Sequence, residues 1–413
     1  MSFQPGLFPS VPADLLGSDH EVFGLWNLVK SVLGVRLRSI AQDRGGYLHD
    51  PARMFAVWMY GFMQGRSSSR QLEDACRFDV RFAFLAGGTR PDHSTLARFR
   101  ERFDDVLPEL LSEVCQEGRR QGLVSSRPLM VDGTKLPGAT SQWRRALSGA
   151  SEEDSKTMND GHGHYVIGYN AQVAVDSEST FIAASVVTSD ANDMGQMPAV
   201  MDAIKDVAGE YPVEVVADSG YDSSPNHQAL VERQVISYIR PRSKHLRVFE
   251  PDESGILRCP AGHVPSLTRT TKSGHAYDVY RVSQCRHCPF RDSCKVPKSS
   301  HQKEMTVRAG TRLGTREDNQ ERTQTDRGKA LLARRGETVE LVFARLKAGF
   351  RFTRFKLRNL RGARLEFALL TLAYNLRLLQ SLLCMLLNAL LGSCTPLNTR
   401  TSINIATTTS SRT

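Results

Sequence analysis

Apolar positions recur at helical spacing through the first 125 residues. Arg53–Gln64 (RMFAVWMYGFMQ) is apolar over the length of a helix, and Ser67-Ser68-Ser69 then offers an N-cap to a short helix, Arg70–Cys76. Ser94 is read as the cap of a helix over Thr95–Phe103, and Val106, Leu107, Leu110, Leu111, Val114 and Cys115 share one face of another. From residue 127 the pattern shortens to strands. Arg127–Val131 ends in Asp132-Gly133-Thr134, and Tyr169–Asp176 and Phe181–Thr188 alternate. Met197–Ala208 reads as a helix, Val213–Ala217 as a strand ending in Asp218-Ser219-Gly220, Ser224–Gln234 as a helix and Ser237–Arg240 as a last short strand. Strands first, then strand–helix–strand, predict an α/β domain with a mixed sheet. Residues 250–300 break this texture, 304–335 are polar, and helical periodicity resumes at Val339 and runs to about Leu391. Thr395–Thr413 holds ten Ser or Thr and no periodic apolar pattern, which predicts a disordered tail.

The division that follows is 1–125 (helical), 126–249 (first part of the α/β domain), 250–300 (insert), 301–394 (its C-terminal helical part) and 395–413 (tail). The short helices with Arg66, Arg70, Arg98, Arg100 and Arg102 are compatible with a helix-turn-helix-like module. Composition adds a partner and a compartment. The 413 residues carry 54 Lys+Arg against 44 Asp+Glu, a surplus of +10 that suggests a polyanionic partner. Met1–Ser18 has no positive region before an apolar run, so no signal peptide is expected. Leu378–Gly392 is the most apolar stretch, but it is short for a membrane span and interrupted by Gln380 and Asn388, so a buried or partner-facing helix is expected and no membrane.

Candidate chemistry begins with two aspartates. Asp132 and Asp218 each end an apolar strand, where ligands collect in open α/β sheets. Two carboxylates brought together there repel unless a cation or a shared proton relieves them, and hard oxygen ligands suit Mg²⁺. In Glu337–Lys347 (ETVELVFARLK), Val339, Val342, Phe343 and Leu346 form an apolar stripe; Glu340 lies off it, with Lys347 on the same face.

These segments resemble the DDE transposases of bacterial insertion sequences: Asp132-Gly133-Thr134-Lys135, then Asp218-Ser219-Gly220-Tyr221-Asp222, then Arg335–Lys347 (RGETVELVFARLK). Tyr60-Gly61 through Ser67–Arg70 and Pro91–Phe99 (PDHSTLARF) resemble the family's helical N-terminal domain, and Gly168–Gln172 and Asn192-Asp193 resemble stretches of its catalytic domain. The resemblance spans roughly residues 20–385 and implies an RNase H-like catalytic fold. It implies Asp132, Asp218 and Glu340 as holders of two Mg²⁺ (or Mn²⁺) ions for DNA strand cleavage and transfer, with Arg335 and Lys347 at phosphate. Glu337 competes for the third place, but Glu340 has Arg335 and Lys347 at the family spacing; Leu332 stands where the family often has tyrosine.

Two further clusters complete the reading. Cys259, Cys285, Cys288 and Cys294 fall within 36 residues, a spacing that can close a tetrahedral thiolate site for structural Zn²⁺ in a zinc-ribbon-like insert. His263 and His287 are alternates, and similar transposases carry such an insert. After Glu340, eight basic residues (Arg345, Lys347, Arg351, Arg354, Lys356, Arg358, Arg361 and Arg364) follow without an acid, interleaved with Phe350, Phe352 and Phe355. A track along DNA phosphates is expected there, with core packing for most of the phenylalanines. The function expected is a transposase acting in the bacterial cytoplasm, at the nucleoid, on terminal inverted repeats and target DNA as a homodimer. The alternatives are an inert zinc-containing DNA-binding regulator and a metal-dependent nuclease.

Overall fold

The structure, a computed structural model, describes residues 12–391 apart from 18, 44–48, 123–127, 141–151, 160–162, 243–248, 253, 255, 273–274, 295, 298 and 310–314. The expected tail and Cys394 lie outside the described residues. Helices fill the N-terminal third: α1 (Glu21–Leu28), a π-helical turn (Val29–Leu33), α2 (Gly34–Asp43), α3 (Pro51–Met63), α4 (Ser69–Phe78), α5 (Val80–Leu85), α6 (His93–Arg102) and α7 (Leu107–Arg120). Their starts follow from capping chemistry. Asp50 accepts from Ala52 N beside Pro51, and Ser68 accepts from Gln71 N. For α6 the cap is Asp92, which accepts from Thr95 N at 2.6 Å; Ser94 instead donates its hydroxyl to the same oxygen. A carboxylate two residues upstream displaces the serine expected to cap.

The large sheet has β1 (Leu129–Pro137), β2 (Lys156–Asn159), β3 (Tyr165–Asp176), β4 (Ile182–Thr188), β5 (Glu214–Ala217) and β6 (Ile236–Ile239), with α8 (Met197–Ala208) and α9 (Ser224–Glu232) between the later strands. β1 pairs antiparallel with β3, whose far edge pairs with β2 and then β4; β5 and β6 run parallel to β1 on its other side. An antiparallel meander continued by parallel strand–helix–strand units is the mixed sheet of an RNase H-like domain, as expected.

Period-two alternation sends the strands to two cores. Leu129, Val131, Ala174, Ala184, Val215 and Ala217 pack against α8 through Met197, Val200, Met201 and Ile204. Met130, Leu136, Tyr169, Ala171, Val173 and Val216 face the other way, into a core shared with α1–α7 and with two of the C-terminal helices. Of these helices, α10 (Thr315–Gln324) stays outside that core and is tied to β6 by Asn319, while α11 (Asp326–Ala344, followed by a π-helical turn, Arg345–Gly349) and α12 (Asn359–Leu391) enter it. α12 is apolar because it crosses this core, packing on α3, α7 and β4. Its apolar run is thereby explained as far as Leu379 without a membrane. Between β6 and α10 lies a separate small unit: β7 (Glu250–Pro251) with β8 (Leu257–Arg258), and β9 (Ser266–Lys272), β10 (His275–Val282) and β11 (Lys303–Arg308) in a three-stranded sheet.

Candidate active site

The strand register brings the two expected aspartates together. β1 and β5 pair in parallel as far as Val131 opposite Ala217, so Asp132 and Asp218 are the next residues on neighbouring strands, whose spacing is about 4.8 Å. Asp132 does not end its strand, as its apolar run suggested. β1 continues to Pro137 because its antiparallel partner β3 goes on pairing, with Asp132 opposite Val173. It is the parallel ladder that stops at Asp132, so the site sits where the sheet's pairing splits. Asp132 Oδ1 accepts from Gly133 N (2.9 Å) and Asp218 Oδ1 from Gly220 N (2.8 Å), which fixes one oxygen of each carboxylate.

Asp132 shares the sheet face of Met130, the face that α11 covers. From α11 the half-buried Arg335 reaches it, Nη1 standing 3.2 Å from Asp132 Oδ2. Burial pushes the Asp132 carboxyl up to about 6; Arg335 opposes this rise and the charge of Asp218 adds to it. The guanidinium is itself under-satisfied, its Nε and Nη1 being buried without a hydrogen-bond partner. Two hard carboxylates that repel each other, relieved by one poorly bonded cation, suit a divalent metal. Glu340 does not join them. It lies five residues beyond Arg335, roughly 140° further round the helix. Its side chain is exposed, folding back along the helix to put Oε1 beside Gly336. Glu337 is exposed as well, and so is Lys347, whose ammonium sits 5.9 Å from the Phe343 ring. Among the described residues no three His, Cys, Asp or Glu side chains stand ready to hold a metal.

A polar network on the opposite sheet face was not expected from the sequence as part of the site. Lys135 Nζ donates to both oxygens of Asp193 (3.2 and 3.0 Å), and Asn170 Nδ2 and Gln172 Nε2 donate to Asp193 Oδ1 (2.8 and 2.7 Å). The buried Tyr221 hydroxyl donates to Gln172 Oε1. The sequence signal was present: Lys135, Asn170, Gln172, Asp193 and Tyr221 all lie in the quoted motifs, and polar residues at alternate positions of β3 mark a face that must be satisfied internally.

The basic stretch divides in two. Arg345 donates to Thr180 and Tyr374 hydroxyls (both 3.2 Å), Arg354 to the Gly138 and Ala139 carbonyls, and Arg364 to the Val187 carbonyl, while Arg361 pairs with Asp104 at 2.8 Å. These four are engaged with the protein. Lys347, Arg351, Lys356 and Arg358 are exposed; Lys356 Nζ donates to Gln71 on α4 (3.3 Å), and the Arg351 stem packs on Gly65. The three phenylalanines are buried, Phe355 completely, its ring 5.7 Å edge-on from Tyr169, and Phe355 N donates to the Pro137 carbonyl (2.9 Å). They pin the loop to the end of β1. In the N-terminal module Arg100 is buried over Trp58, 5.0 Å from its ring, and is unavailable to DNA.

In the insert the four cysteines line one cavity of about 20 Å³ together with Phe249, Val282, Phe290 and Val296. Turns place them. Gly262, at φ +85°, closes the Cys259–His263 turn by donating to the Cys259 carbonyl (2.8 Å), while Arg291 N donates to the Cys288 carbonyl and Cys294 N to that of Phe290. Burial pushes the Cys285 thiol up, and Cys288, Cys259 and Cys294 are close enough to add to it. Four soft sulfur donors around one small cavity are a donor set that suits Zn²⁺, although the thiols are not drawn in to ligand geometry.

Two family models match the chain. Residues 125–376 match the family model of the transposase DDE domain, and residues 18–102 match that of the transposase domain DUF772. A search of curated proteins finds no match.

Proposed function

This chain belongs to the DDE transposases of insertion-sequence type, and from that membership we propose that Asp132 and Asp218, completed by Glu340, form a metal-dependent site for DNA strand cleavage and transfer. One observation carries the reading: the parallel register that sets Asp132 beside Asp218, with Arg335 as counter-charge. When bound, Mg²⁺ or Mn²⁺ at these carboxylates would polarise the scissile phosphate and lower the pKa of a bound water. The remaining work falls to the chain. Arg335 leaves Asp132 for a DNA phosphate, where a bidentate guanidinium is better satisfied than in its present site. Glu340, on the helix that already touches Asp132, turns in to become the third carboxylate. Lys347, Arg351, Lys356 and Arg358 hold the DNA backbone, with Arg345 and Arg354 keeping that loop in place.

On the same reading Cys259, Cys285, Cys288 and Cys294 hold a structural Zn²⁺ that fastens the 250–300 insert. The helices of residues 1–125 bind the terminal inverted repeats; 126–249 and 301–394 make up the catalytic domain, and 395–413 its tail. Two copies bring two ends together, in the bacterial cytoplasm at the nucleoid. The test incubates the full-length protein with a repeat end, a target duplex and Mg²⁺. Joining of end to target is expected. Cutting without joining would make the protein a nuclease, and binding without cutting an inert regulator; either overturns the proposal.

A further inference from the structure

We propose that Asp193 is a positioning residue that fixes the spacing of Asp132 and Asp218 through its ion pair with Lys135 and its hydrogen bonds to Asn170 and Gln172. This rests on the metal-site reading above and extends it to a residue that would touch neither metal nor DNA.

Asp193 lies in the loop before α8, on the sheet face opposite Arg335. Its carboxylate is almost fully committed. One oxygen accepts from Lys135, Asn170 and Gln172, and the other from Lys135. Its position is fixed from behind, because Asn226 Nδ2 donates to the Asp193 carbonyl (2.9 Å) and to that of Tyr221 (3.0 Å). Of its partners, Lys135 is on β1, the strand that carries Asp132, and Asn170 and Gln172 are on β3, paired beside it. Lys135 is three residues beyond Asp132 on β1; Gly220 and Tyr221 follow Asp218 in its turn.

Two glycines admit the carboxylate between them. A methyl on Gly133, next to Asp132, would collide with Gln172 and meet Asp193 Oδ1 at 3.0 Å. A methyl on Gly220 would meet Asp218 Oδ1 at 2.9 Å and Asp193 Oδ2 at 3.2 Å. Both would require the network to move. The Asp193 carboxylate therefore acts as a wedge where the β1–β5 ladder ends, tied to β1 by Lys135 and to the Asp218 turn through Gln172 and Tyr221. Lys135 also neutralises it, which keeps a third negative charge from being added uncompensated behind Asp218.

The test is calorimetric titration of Mn²⁺ into the full-length protein, with cooperative thermal unfolding as the check of fold. Asp132→Asn is expected to lose Mn²⁺ binding. Asp193→Asn is expected to bind about tenfold more weakly, the usual effect of removing a group that orients metal ligands, a shift that loss of stability alone would not produce. Lys135→Met, which leaves the carboxylate in place, is expected to weaken binding by roughly threefold and carries the test if Asp193→Asn does not fold. Wild-type Mn²⁺ affinity in a folded Asp193→Asn, or unchanged or tighter affinity in Lys135→Met, overturns the positioning role while leaving the metal site standing. Mn²⁺ binding by Asp132→Asn equal to wild type, or none by the wild type, overturns the metal site itself.

Discussion

Asp132, Asp218 and Arg335 meet only because a sheet and a long helix carry them there from three distant parts of the chain, whereas the four cysteines meet through turns of a few residues inside one insert. Both groups are donor sets without a ready-made metal arrangement, yet they depend on different things. The carboxylates depend on register: a one-residue slip of β1 against β5 would send Asp132 to the α8 face and out of reach of Arg335. The cysteines depend on local turns and on a very small core of Phe249, Val282, Cys285 and Val296, too little apolar surface to hold a fold without help. The two aspartates are therefore set side by side by the sheet itself, whereas the cysteines have little packing around them to hold their arrangement.

That contrast breaks first at the chemistry. Asp132→Asn is expected to lower DNA cleavage by roughly a thousandfold or more while leaving DNA binding and the zinc content of the insert intact; single-turnover cleavage and elemental analysis check both halves. The converse variant, Cys288→Ser, is expected to lose the zinc, whose binding free energy in small domains is of order 10 kcal/mol, and to unfold residues 250–300. Mn²⁺ affinity at the carboxylates should then stay at the wild-type value, and a parallel fall would mean that the two sites are one cooperative unit.

Phe355 tests how firmly the basic loop is joined to the sheet. Phe355→Ala removes a fully buried ring packed on Tyr169, Phe352 and Phe367, and is expected to cost about 3–5 kcal/mol in denaturant unfolding. A cost below about 1 kcal/mol would mean that the loop is not anchored by its aromatics.

Acid sharpens the account of the carboxylates. The Asp132 carboxyl is raised from 3.8 to about 6, so between those values the folded chain keeps a proton that the unfolded chain releases. Stability of the metal-free protein is therefore expected to fall as pH rises from about 4 to about 6, by up to roughly 3 kcal/mol, and to stay lower above that. Asp132→Asn should flatten this slope and raise the melting temperature at pH 7. A slope of the opposite sign would show that Arg335 outweighs burial and Asp218. The smallest effect concerns the exposed Lys347: Lys347→Ala is expected to reduce the salt dependence of DNA binding by about one unit in log Kd against log salt.

Much of this was legible in the sequence. Helix α8 falls on Met197–Ala208 as its apolar spacing predicts, and α3 and β5 lie within a few residues of expectation. Long apolar runs with clear punctuation are self-announcing. What was not legible was set by pairing partners. β1 runs past its apolar half into Asp132–Pro137 because β3 continues beside it, and β2 (KTMN) has too few apolar residues to betray a strand. The basic run showed its charge but not that Arg345, Arg354, Arg361 and Arg364 are engaged with the protein, since their partners lie far away in the chain. Nor did the sequence reveal that the N-terminal helices and α12 would share one core with the sheet. For the site, the two aspartates were found from their strand ends, while Asp193 was overlooked because its meaning lies in three donors, Lys135, Asn170 and Gln172, from two strands.

The most direct test of the central claim, that the β1–β5 register builds a metal-dependent DNA-cutting site, is cleavage of a repeat end by Asp218→Asn and Asp132→Asn against wild type, in Mg²⁺ and in chelator, with DNA binding measured on the same samples. Cleavage is expected from wild type only and only with Mg²⁺, with equal DNA binding by all three. Cleavage by either variant at the wild-type rate, or by wild type in chelator, would contradict it.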